Sequence, residues 1–249
     1  YIKAGDVYQV NLTRKLSGQI EGDLNGAALA LLQSNRIEFG VFYKFKHQYI
    51  ISTSPERLFC SDGKTITASP IKGTVQNTDI QAANQLLNDK KNLRELAMIT
   101  DLLRNDLSKI CKPGSVVVNG FPILKTLNNV FHLVADIEGE LVETRMSNIF
   151  KALFPGGSIT GCPKIRACQI IEELEQKGRG PYTGSFGYIS GTNHADMNIL
   201  IRTVLIQENR ISFNVGGGIT LLSQPEDEFE ETQHKAKNIV QALGIDHKQ

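Results

Sequence analysis

The chain has 249 residues, of which 41% are apolar and 21% charged, and its net charge at pH 7 is +1. This composition excludes a disordered, collagen-like or disulfide-stapled chain, and the balanced charge offers no basic surface for nucleic acid and no polybasic anchor for a membrane. The apolar runs are far shorter than the ~20 residues of a membrane span. Four cysteines without metal-binding spacing predict reduced thiols and a cytoplasmic protein.

The first half of the chain predicts strands and helices in blocks. Tyr8, Val10 and Leu12 alternate with polar residues, the pattern of a half-buried strand. An Ala/Leu-rich segment predicts a helix over Leu24–Gln33. Turn residues then separate strand patterns at 37–45, 49–52, 57–60 and 64–68. Residues 79–109 predict helix with a break near Asn88 and Asp89.

The second half predicts further strands at 115–118, 131–138, 184–190, 197–206 and 210–215. Helices at 145–153 and 163–176 flank a glycine-rich turn at 156–161. Three consecutive glycines follow the last strand and predict a turn before a final helix over Pro225–Leu243. In that helix Phe229, Ala236, Val240 and Leu243 form the expected buried stripe. Blocks of strands interrupted by helices favour an α+β fold with largely antiparallel sheets.

The final helix also carries Glu228, Glu231 and Lys235 at steps of three and four, so their side chains share one face. An ordinary exposed Glu–Lys pair has this spacing. The alternative is a carboxylate pair for a hard cation, with a lysine for an anionic ligand. The glycine triplet Gly216–Gly218 favours the alternative, because its backbone N–H groups can approach an anion closely.

Five further side chains are candidate site residues. For each of them the sequence allows both a structural and a functional role. Glu95 borders the apolar stripe of its helix, and Lys72 follows a strand as either a turn residue or an amine nucleophile. His132 lies in an apolar run as a core residue or a catalyst. Arg202 lies among strand apolars and needs an anionic partner if buried, where Tyr182 can add a hydrogen bond.

Several ordered motifs carry a resemblance to a known family. They are Ala4–Leu12 (AGDVYQVNL), Ser54–Arg57 (SPER), Pro70–Thr74 (PIKGT), Asp101–Asp106 (DLLRND), His132–Val134 (HLV), Gly157–Lys164 (GSITGCPK), Arg179–Gly184 (RGPYTG), Gly216–Gly218 (GGG) and Glu228–Thr232 (EFEET). In this order they resemble the chorismate-binding enzymes over about residues 1–243. The resemblance implies an α+β fold of two large, orthogonally packed mixed or antiparallel β-sheets flanked by helices, a four-layer α/β/β/α sandwich. We expect one chorismate-binding catalytic domain over 1–249, lacking the N-terminal part of a longer protein.

Two positions are informative within the family. Its aminodeoxychorismate synthases carry lysine in the Pro-Ile-x-Gly-Thr motif, where anthranilate synthases usually carry alanine, and this chain has Lys72. The water-adding relatives carry a lysine where this chain has Gln9. The resemblance therefore implies Mg²⁺-dependent amination of chorismate at C4 through a covalent lysine intermediate, giving 4-amino-4-deoxychorismate towards 4-aminobenzoate and folate.

The resemblance also implies a role for each site residue. Catalysis falls to Lys72 as nucleophile, Glu56 as the acid for the leaving hydroxyl, and His132 in the ring pocket. The implied ligands of Mg²⁺ are Glu95, Glu231 and Glu228. The implied substrate contacts are Tyr182, Arg202, Gly216, Gly217, Gly218, Lys235, Thr160 and Thr74. The implied second substrate is ammonia, which a glutamine amidotransferase subunit can deliver.

Two alternatives stay open. One is an anthranilate synthase component I, which forms anthranilate from chorismate. The other is a chorismate-binding domain without turnover, because residues 75–77 (VQN) and 221–224 (LLSQ) depart from the usual family sequences there.

Overall fold

The computed structural model describes residues 1–20, 24–33, 37–77, 80–127 and 130–243. The chain divides into two compact units. The first unit comprises Tyr1–Pro55, Ile159–Phe186 and Ile199–Gln249, and the second comprises Glu56–Ser158 and Gly187–Asn198.

The described residues form thirteen strands and six α-helices. The strands are β1 (Gln9–Gln19), β2 (Phe39–Phe45), β3 (Gln48–Ser54), β4 (Arg57–Ser61), β5 (Thr65–Ala68), β6 (Ile71–Gln76), β7 (Val117–Leu127), β8 (Val130–Glu140), β9 (Gly161–Cys162), β10 (Gly187–Ile189), β11 (Ala195–Asn198), β12 (Thr203–Gln207) and β13 (Arg210–Thr220). The helices are α1 (Leu24–Gln33), α2 (Ile80–Asn88), α3 (Lys90–Ser108), α4 (Met146–Leu153), α5 (Lys164–Glu175) and α6 (Pro225–Leu243).

The first unit is built on a six-stranded sheet in the order β2-β3-β12-β13-β1-β9, whose described ladders are all antiparallel. Helices α1 and α6 bury their apolar faces against this sheet, where Leu31 and Val240 join the cluster formed by Ile51 and Val204. Helix α5 packs on β1 through Ala167. Burial of these faces is the main force that holds the helices to the sheet.

The second unit contains a seven-stranded antiparallel sheet in the order β10-β11-β4-β5-β8-β6, with β7 paired to β8. Helices α2 and α3 pack on β6 and β8. Leu86 and Leu96 of the helices form one buried cluster with Leu133 and Ala135 of β8. This packing places α3 beside β6, which matters for the site below.

The predicted fold class is confirmed, because the structure is α+β with two antiparallel sheets and helices. Helices α1 and α6 have the predicted bounds. The predicted break between α2 and α3 falls at Asp89, whose side chain caps α3 by accepting hydrogen bonds from the backbone N–H groups of Lys91 and Asn92. The predicted start of this region, Asp79, lies outside the described residues.

Three predictions of local structure were wrong. The glycine triplet lies inside β13, where Gly216, Gly217 and Gly218 pair with Thr13, Leu12 and Asn11 of β1. Residues 197–206 are two strands, β11 and β12, in different sheets. The segment around Lys72 is strand β6, and the predicted turn is absent there. In each case pairing with a strand distant in sequence decided the conformation.

Two burial predictions were also wrong. Tyr8 is 71% exposed and lies just before β1, whereas Gln9, Val10 and Asn11 are all buried, so both faces of the strand are covered at its start. Phe229 is 52% exposed rather than part of the buried stripe of α6. The guanidinium of Arg14 covers its ring at 4.9 Å from the centroid, a cation–π contact that an exposed ring can make.

All four cysteines are free. Within the described ranges, every helix falls short of the length and apolarity needed to span a bilayer.

Candidate functional site

In the second unit, Lys72 and Glu95 form an ion pair with an Nζ–Oε2 distance of 3.4 Å. Lys72 lies on β6 and Glu95 on α3, and their side chains are only 16% and 12% exposed. Lysine and glutamate are seldom buried unless they are paired. Lys72 is therefore held at a defined position beside a carboxylate. A lysine in a solvated turn would not be held in this way.

Gly73 brings β6 close to the helices. It lies at a bulge where Lys72 pairs with Leu133 and Thr74 with His132, and its φ of +64° is one that L side chains rarely adopt. A Cβ at Gly73 would lie 2.7 Å from Leu86 Cδ1 of α2. The absence of a side chain here lets β6 approach α2 and α3, and so lets Lys72 reach Glu95.

His132 of β8 is buried, and its Nδ1 lies 2.9 Å from the hydroxyl of Thr74. The Thr74 hydroxyl holds the imidazole ring through Nδ1, and this hydrogen bond also sets the position of Nε2. Thr74, predicted as a substrate contact, thus has a structural role towards His132 in this structure.

Glu56 is a buried carboxyl immediately before β4. The next residue, Arg57, makes a bidentate ion pair with Asp196 of β11, with Nε–Oδ1 and Nη2–Oδ2 distances of 2.8 and 2.9 Å. A bidentate pair of this kind defines both position and orientation. The pair anchors the first residue of β4 and with it the backbone that carries Glu56.

In the first unit, Glu228 and Glu231 of α6 lie over Gly217 of β13. A Cβ at Gly217 would lie 3.2 Å from Glu228 Oε2 and 3.7 Å from Glu231 Oε1. Glu228 is buried, and its Oε1 accepts a hydrogen bond of 2.5 Å from Ser223 Oγ. Two carboxylates thus flank a space that a side chain on the strand would fill.

Lys235 connects the same cluster to the strand. Its Nζ lies 2.6 Å from Glu231 Oε1 and donates a hydrogen bond of 2.8 Å to the carbonyl oxygen of Gly216. The three side chains predicted to share one face of α6 therefore do lie together, beside Gly216 and Gly217 of β13. An exposed Glu–Lys pair alone contributes little stability, so the contact with Gly216 is the informative part.

These carboxylates suit Mg²⁺. The ion prefers oxygen ligands and is commonly bound by one or two carboxylates, with water and substrate oxygens completing its shell. Glu228 and Glu231 beside Gly217 supply such oxygens and room for them. Within the described residues no group of three or more acidic, histidine or cysteine side chains is close enough to hold a metal by itself. Glu95 belongs to the second unit, so its joint role with Glu228 and Glu231 stays a prediction.

Gln9 is a candidate that the local sequence pattern did not indicate. Its side chain is fully buried, and neither the amide nitrogen nor the amide oxygen has a hydrogen-bond partner among the described residues. The amide lies against Gly218, where a Cβ would come within 2.4 Å of its Nε2. Unsatisfied buried amides are costly, and a ligand group at this place would satisfy one.

The remaining predicted contacts lie in the first unit. Tyr182 and Thr160 are buried, and the carbonyl oxygen of Thr160 accepts a hydrogen bond of 2.7 Å from the backbone N–H of Asn11. Arg202 is exposed, has a φ of +49° and lies in the link before β12, so the prediction of an arginine within a strand was wrong. The link allows the chain to pass from β11 of one sheet to β12 of the other.

The structure therefore joins some predicted residues and leaves others apart. Within the second unit it joins Lys72 with Glu95 and Thr74 with His132. Within the first it joins the carboxylates and the lysine of α6 with the glycine strand. From the motif Arg179–Gly184 the sequence predicts a role for Tyr182 only, whereas the structure shows that the mostly covered side chain of Arg179 forms a network of hydrogen bonds.

Comparison with known proteins decides the family. The family model described as chorismate binding enzyme matches residues 1–241. The chain belongs to the chorismate-binding enzymes. The resemblance derived from the motifs is thereby confirmed.

Two kinds of relative within the family, aminodeoxychorismate synthases and anthranilate synthases, are similar to this chain at nearly the same sequence identity. The chain is 40% identical over 249 residues to aminodeoxychorismate synthase component 1 of Escherichia coli, covering 98% of this chain and 55% of the relative. It is 39% identical over 259 residues to anthranilate synthase component 1 of Synechocystis, covering 98% of this chain and 51% of the relative. The chain thus spans about half the length of these curated relatives.

A solved structure agrees with this assignment. Anthranilate synthase component I from Streptococcus pneumoniae superposes with a TM-score of 0.88 at 34% sequence identity, covering 96% of this chain and 54% of the other. The fold is therefore that of the family.

Proposed function

We propose that the chain aminates chorismate at C4 as the catalytic part of an aminodeoxychorismate synthase component I. The product is 4-amino-4-deoxychorismate, which leads to 4-aminobenzoate and folate. The ammonia comes from a glutamine amidotransferase subunit or from solution, and Mg²⁺ is required.

The observation that carries this proposal is the Lys72–Glu95 pair. Lys72 occupies the motif position at which the aminodeoxychorismate synthases carry lysine, and its amine lies 3.4 Å from a carboxylate in a mostly buried place. A nucleophilic lysine needs a defined position and protection from water. An alanine at this position, as in most anthranilate synthases, offers no nucleophile.

Binding of the substrate requires positive charge, because chorismate is a dianion. Mg²⁺, when bound, offsets the charge of the ring carboxylate, and Glu95, Glu228 and Glu231 are the proposed ligands. Arg202 and Tyr182 bind the enolpyruvyl carboxylate. Fixed groups of this kind favour an anion more strongly in a closed site than water does.

The covalent step involves the residues of the second unit. Lys72 first loses its ammonium proton to solvent; the free amine then forms a bond to C2 of the ring, the ring double bond shifts, and the C4–O bond breaks. Hydroxide is a poor leaving group, so Glu56 gives its proton to the departing oxygen and water is released. Ammonia then adds at C4, the double bond shifts back, and the C2–N bond breaks with its electron pair returning to Lys72. The proton that the added ammonia releases returns to the Glu56 carboxylate.

The test uses chorismate, Mg²⁺ and ammonium with the purified chain. We expect 4-amino-4-deoxychorismate by chromatography, and an intact mass raised by one chorismate less one water when ammonium is omitted. Lys72→Ala should abolish both, whereas the exposed Lys64→Ala, a matched control in the same unit, should change neither. An undiminished adduct in Lys72→Ala would refute the role of this lysine.

Anthranilate synthesis is the second candidate, favoured by the relative of that name at 39% identity and by the placement of His132 beside Thr74. In the anthranilate-forming relatives the matching histidine assists the elimination of pyruvate. Fluorescent anthranilate in the same assay would support this candidate against the amination. Calorimetric binding of chorismate without any product would indicate a binding domain without turnover.

A further inference from the structure

Arg179 forms four hydrogen bonds within the first unit, two to backbone carbonyl oxygens and two to a carboxylate. Its Nη1 donates to the carbonyl oxygen of Ile159 at 2.8 Å and its Nη2 to that of Asn11 at 2.7 Å. Its Nε and Nη2 also donate to the two carboxylate oxygens of Glu175, at 2.9 and 2.6 Å. The guanidinium thus joins α5, β1 and the segment before β9 at one point.

Glu175 extends this network along β1. Its Oε1 accepts hydrogen bonds from the backbone N–H of Thr13 at 2.9 Å and from the Thr13 hydroxyl at 3.0 Å. The side chains of Arg179 and Glu175 are only 12% and 9% exposed. Thr13 in turn pairs with Gly216 across the β1–β13 ladder. The network therefore reaches the strand that carries the glycine triplet.

The same network reaches two of the proposed substrate contacts. Ile159 precedes Thr160, and its carbonyl oxygen accepts a second hydrogen bond from Asn11 Nδ2 at 3.1 Å. The backbone N–H of Asn11 donates to the carbonyl oxygen of Thr160 at 2.7 Å. Arg179 also lies three residues before Tyr182, so its position fixes the start of the segment that carries that ring.

We propose that Arg179, held by Glu175, is a positioning residue that sets Thr160, Tyr182 and the glycine strand for the anionic substrate. This inference rests on the proposed function. A buried ion pair is weak grounds for a role in stability alone, since well-packed apolar residues often serve as well. The hydrogen bonds to two backbone carbonyl oxygens are the distinctive feature. Only the planar guanidinium, with its several fixed N–H donors, can reach both carbonyls and the Glu175 carboxylate at once.

Arg179→Lys tests the proposal, since lysine keeps the charge and the pairing with Glu175 but cannot serve both carbonyls. The control is Arg166→Lys on helix α5, the helix that carries Glu175. Arg166 pairs with Asp6 through its Nε and Nη2, in a more exposed place, and makes no contact with the residues of this network that the described structure shows. Glu175→Gln, which keeps an acceptor oxygen, is the second variant if Arg179→Lys does not fold.

Two measurements are made on each variant. Hydrogen exchange followed by mass spectrometry should rise in Arg179→Lys for the peptides that contain residues 11–13, 159–160 and 180–182, and stay unchanged there in Arg166→Lys. The calorimetric Kd for chorismate with Mg²⁺ should rise at least tenfold in Arg179→Lys and less than twofold in the control. A third measurement uses Arg179→Ala, which removes the guanidinium altogether. Added methylguanidinium should partly restore its binding of chorismate.

The outcomes separate the inference from the function on which it rests. Unchanged exchange in the three segments, or an unchanged Kd for chorismate, would overturn the positioning role of Arg179. Wild-type protein that fails to bind chorismate would refute the proposed function, and faster exchange in Arg179→Lys would then still support the positioning of these segments. A loss of binding in Arg166→Lys equal to that in Arg179→Lys would also overturn the inference.

Discussion

Gly217→Ala tests the cluster of Glu228 and Glu231 on α6. The added methyl would lie 3.2 Å from Glu228 Oε2 and 3.7 Å from Glu231 Oε1. The first distance requires a shift of a few tenths of an ångström, which a side-chain carboxylate can make. The substitution therefore fills the space beside the two carboxylates while leaving the backbone of β13 in place.

The expected effect on stability is small and the expected effect on binding is large. Replacing a strand glycine by alanine gains about 0.5–1 kcal/mol, which offsets the tight contact. A lost interaction with a charged group costs about 1.5–3 kcal/mol, or roughly 10- to 150-fold in Kd. We thus expect a nearly unchanged Tm and a Kd for Mg²⁺ that rises by at least tenfold.

The assay is calorimetric titration of Mg²⁺ with and without chorismate, combined with thermal unfolding. Gly178→Ala is the neutral control, because no atom lies within 4 Å of its added Cβ. Gly216→Ala is the opposite control, since its Cβ would lie 2.4 Å from the carbonyl oxygen of Leu12 and should destabilise the fold. Binding of Mg²⁺ to Gly217→Ala with the wild-type Kd would refute the assignment of this cluster to the metal.

Three further predictions concern the second unit. Gly73→Ala should lower the free energy of unfolding in urea by about 2–4 kcal/mol, from the positive φ and from contact with Leu86, and an unchanged midpoint would contradict the need for glycine at the bulge. Thr74→Val should lower kcat about tenfold by removing the hydrogen bond to His132, whereas Thr74→Ser should keep kcat within about threefold of the wild type. Equal kcat values for the two variants would exclude a role for this hydroxyl. Burial raises the pKa of the Cys111 thiol from 9.0 to about 11, so the stability that the neutral thiol supplies is present below pH 9 and lost as pH rises through 11. Urea unfolding of wild type and Cys111→Ala should diverge over that range, and parallel pH profiles would contradict the burial effect.

The fold class and the family followed from the sequence because they depend on local signals. Leu24–Gln33 and Pro225–Leu243 are helices with the predicted bounds, and Asp89 caps α3 at the predicted break. Apolar spacing and capping act within a few residues, so they can be recognised without knowledge of the partner elements. The ordered motifs added the family, which the match over residues 1–241 confirms.

Only the tertiary structure decided the chemistry of the candidate site. Lys72 is paired with Glu95 because β6 pairs with β8 and α3 packs beside β6, and a local sequence pattern contains neither of these contacts. Gln9 is buried, with an amide that has no partner among the described residues, because β1 pairs with β13 from about 200 residues away in the chain. Gly217 lies beside two carboxylates because α6 packs on β13. Pairing over such distances depends on the fit of whole sheets, so it fixes side-chain positions that hydrophobic periodicity leaves open.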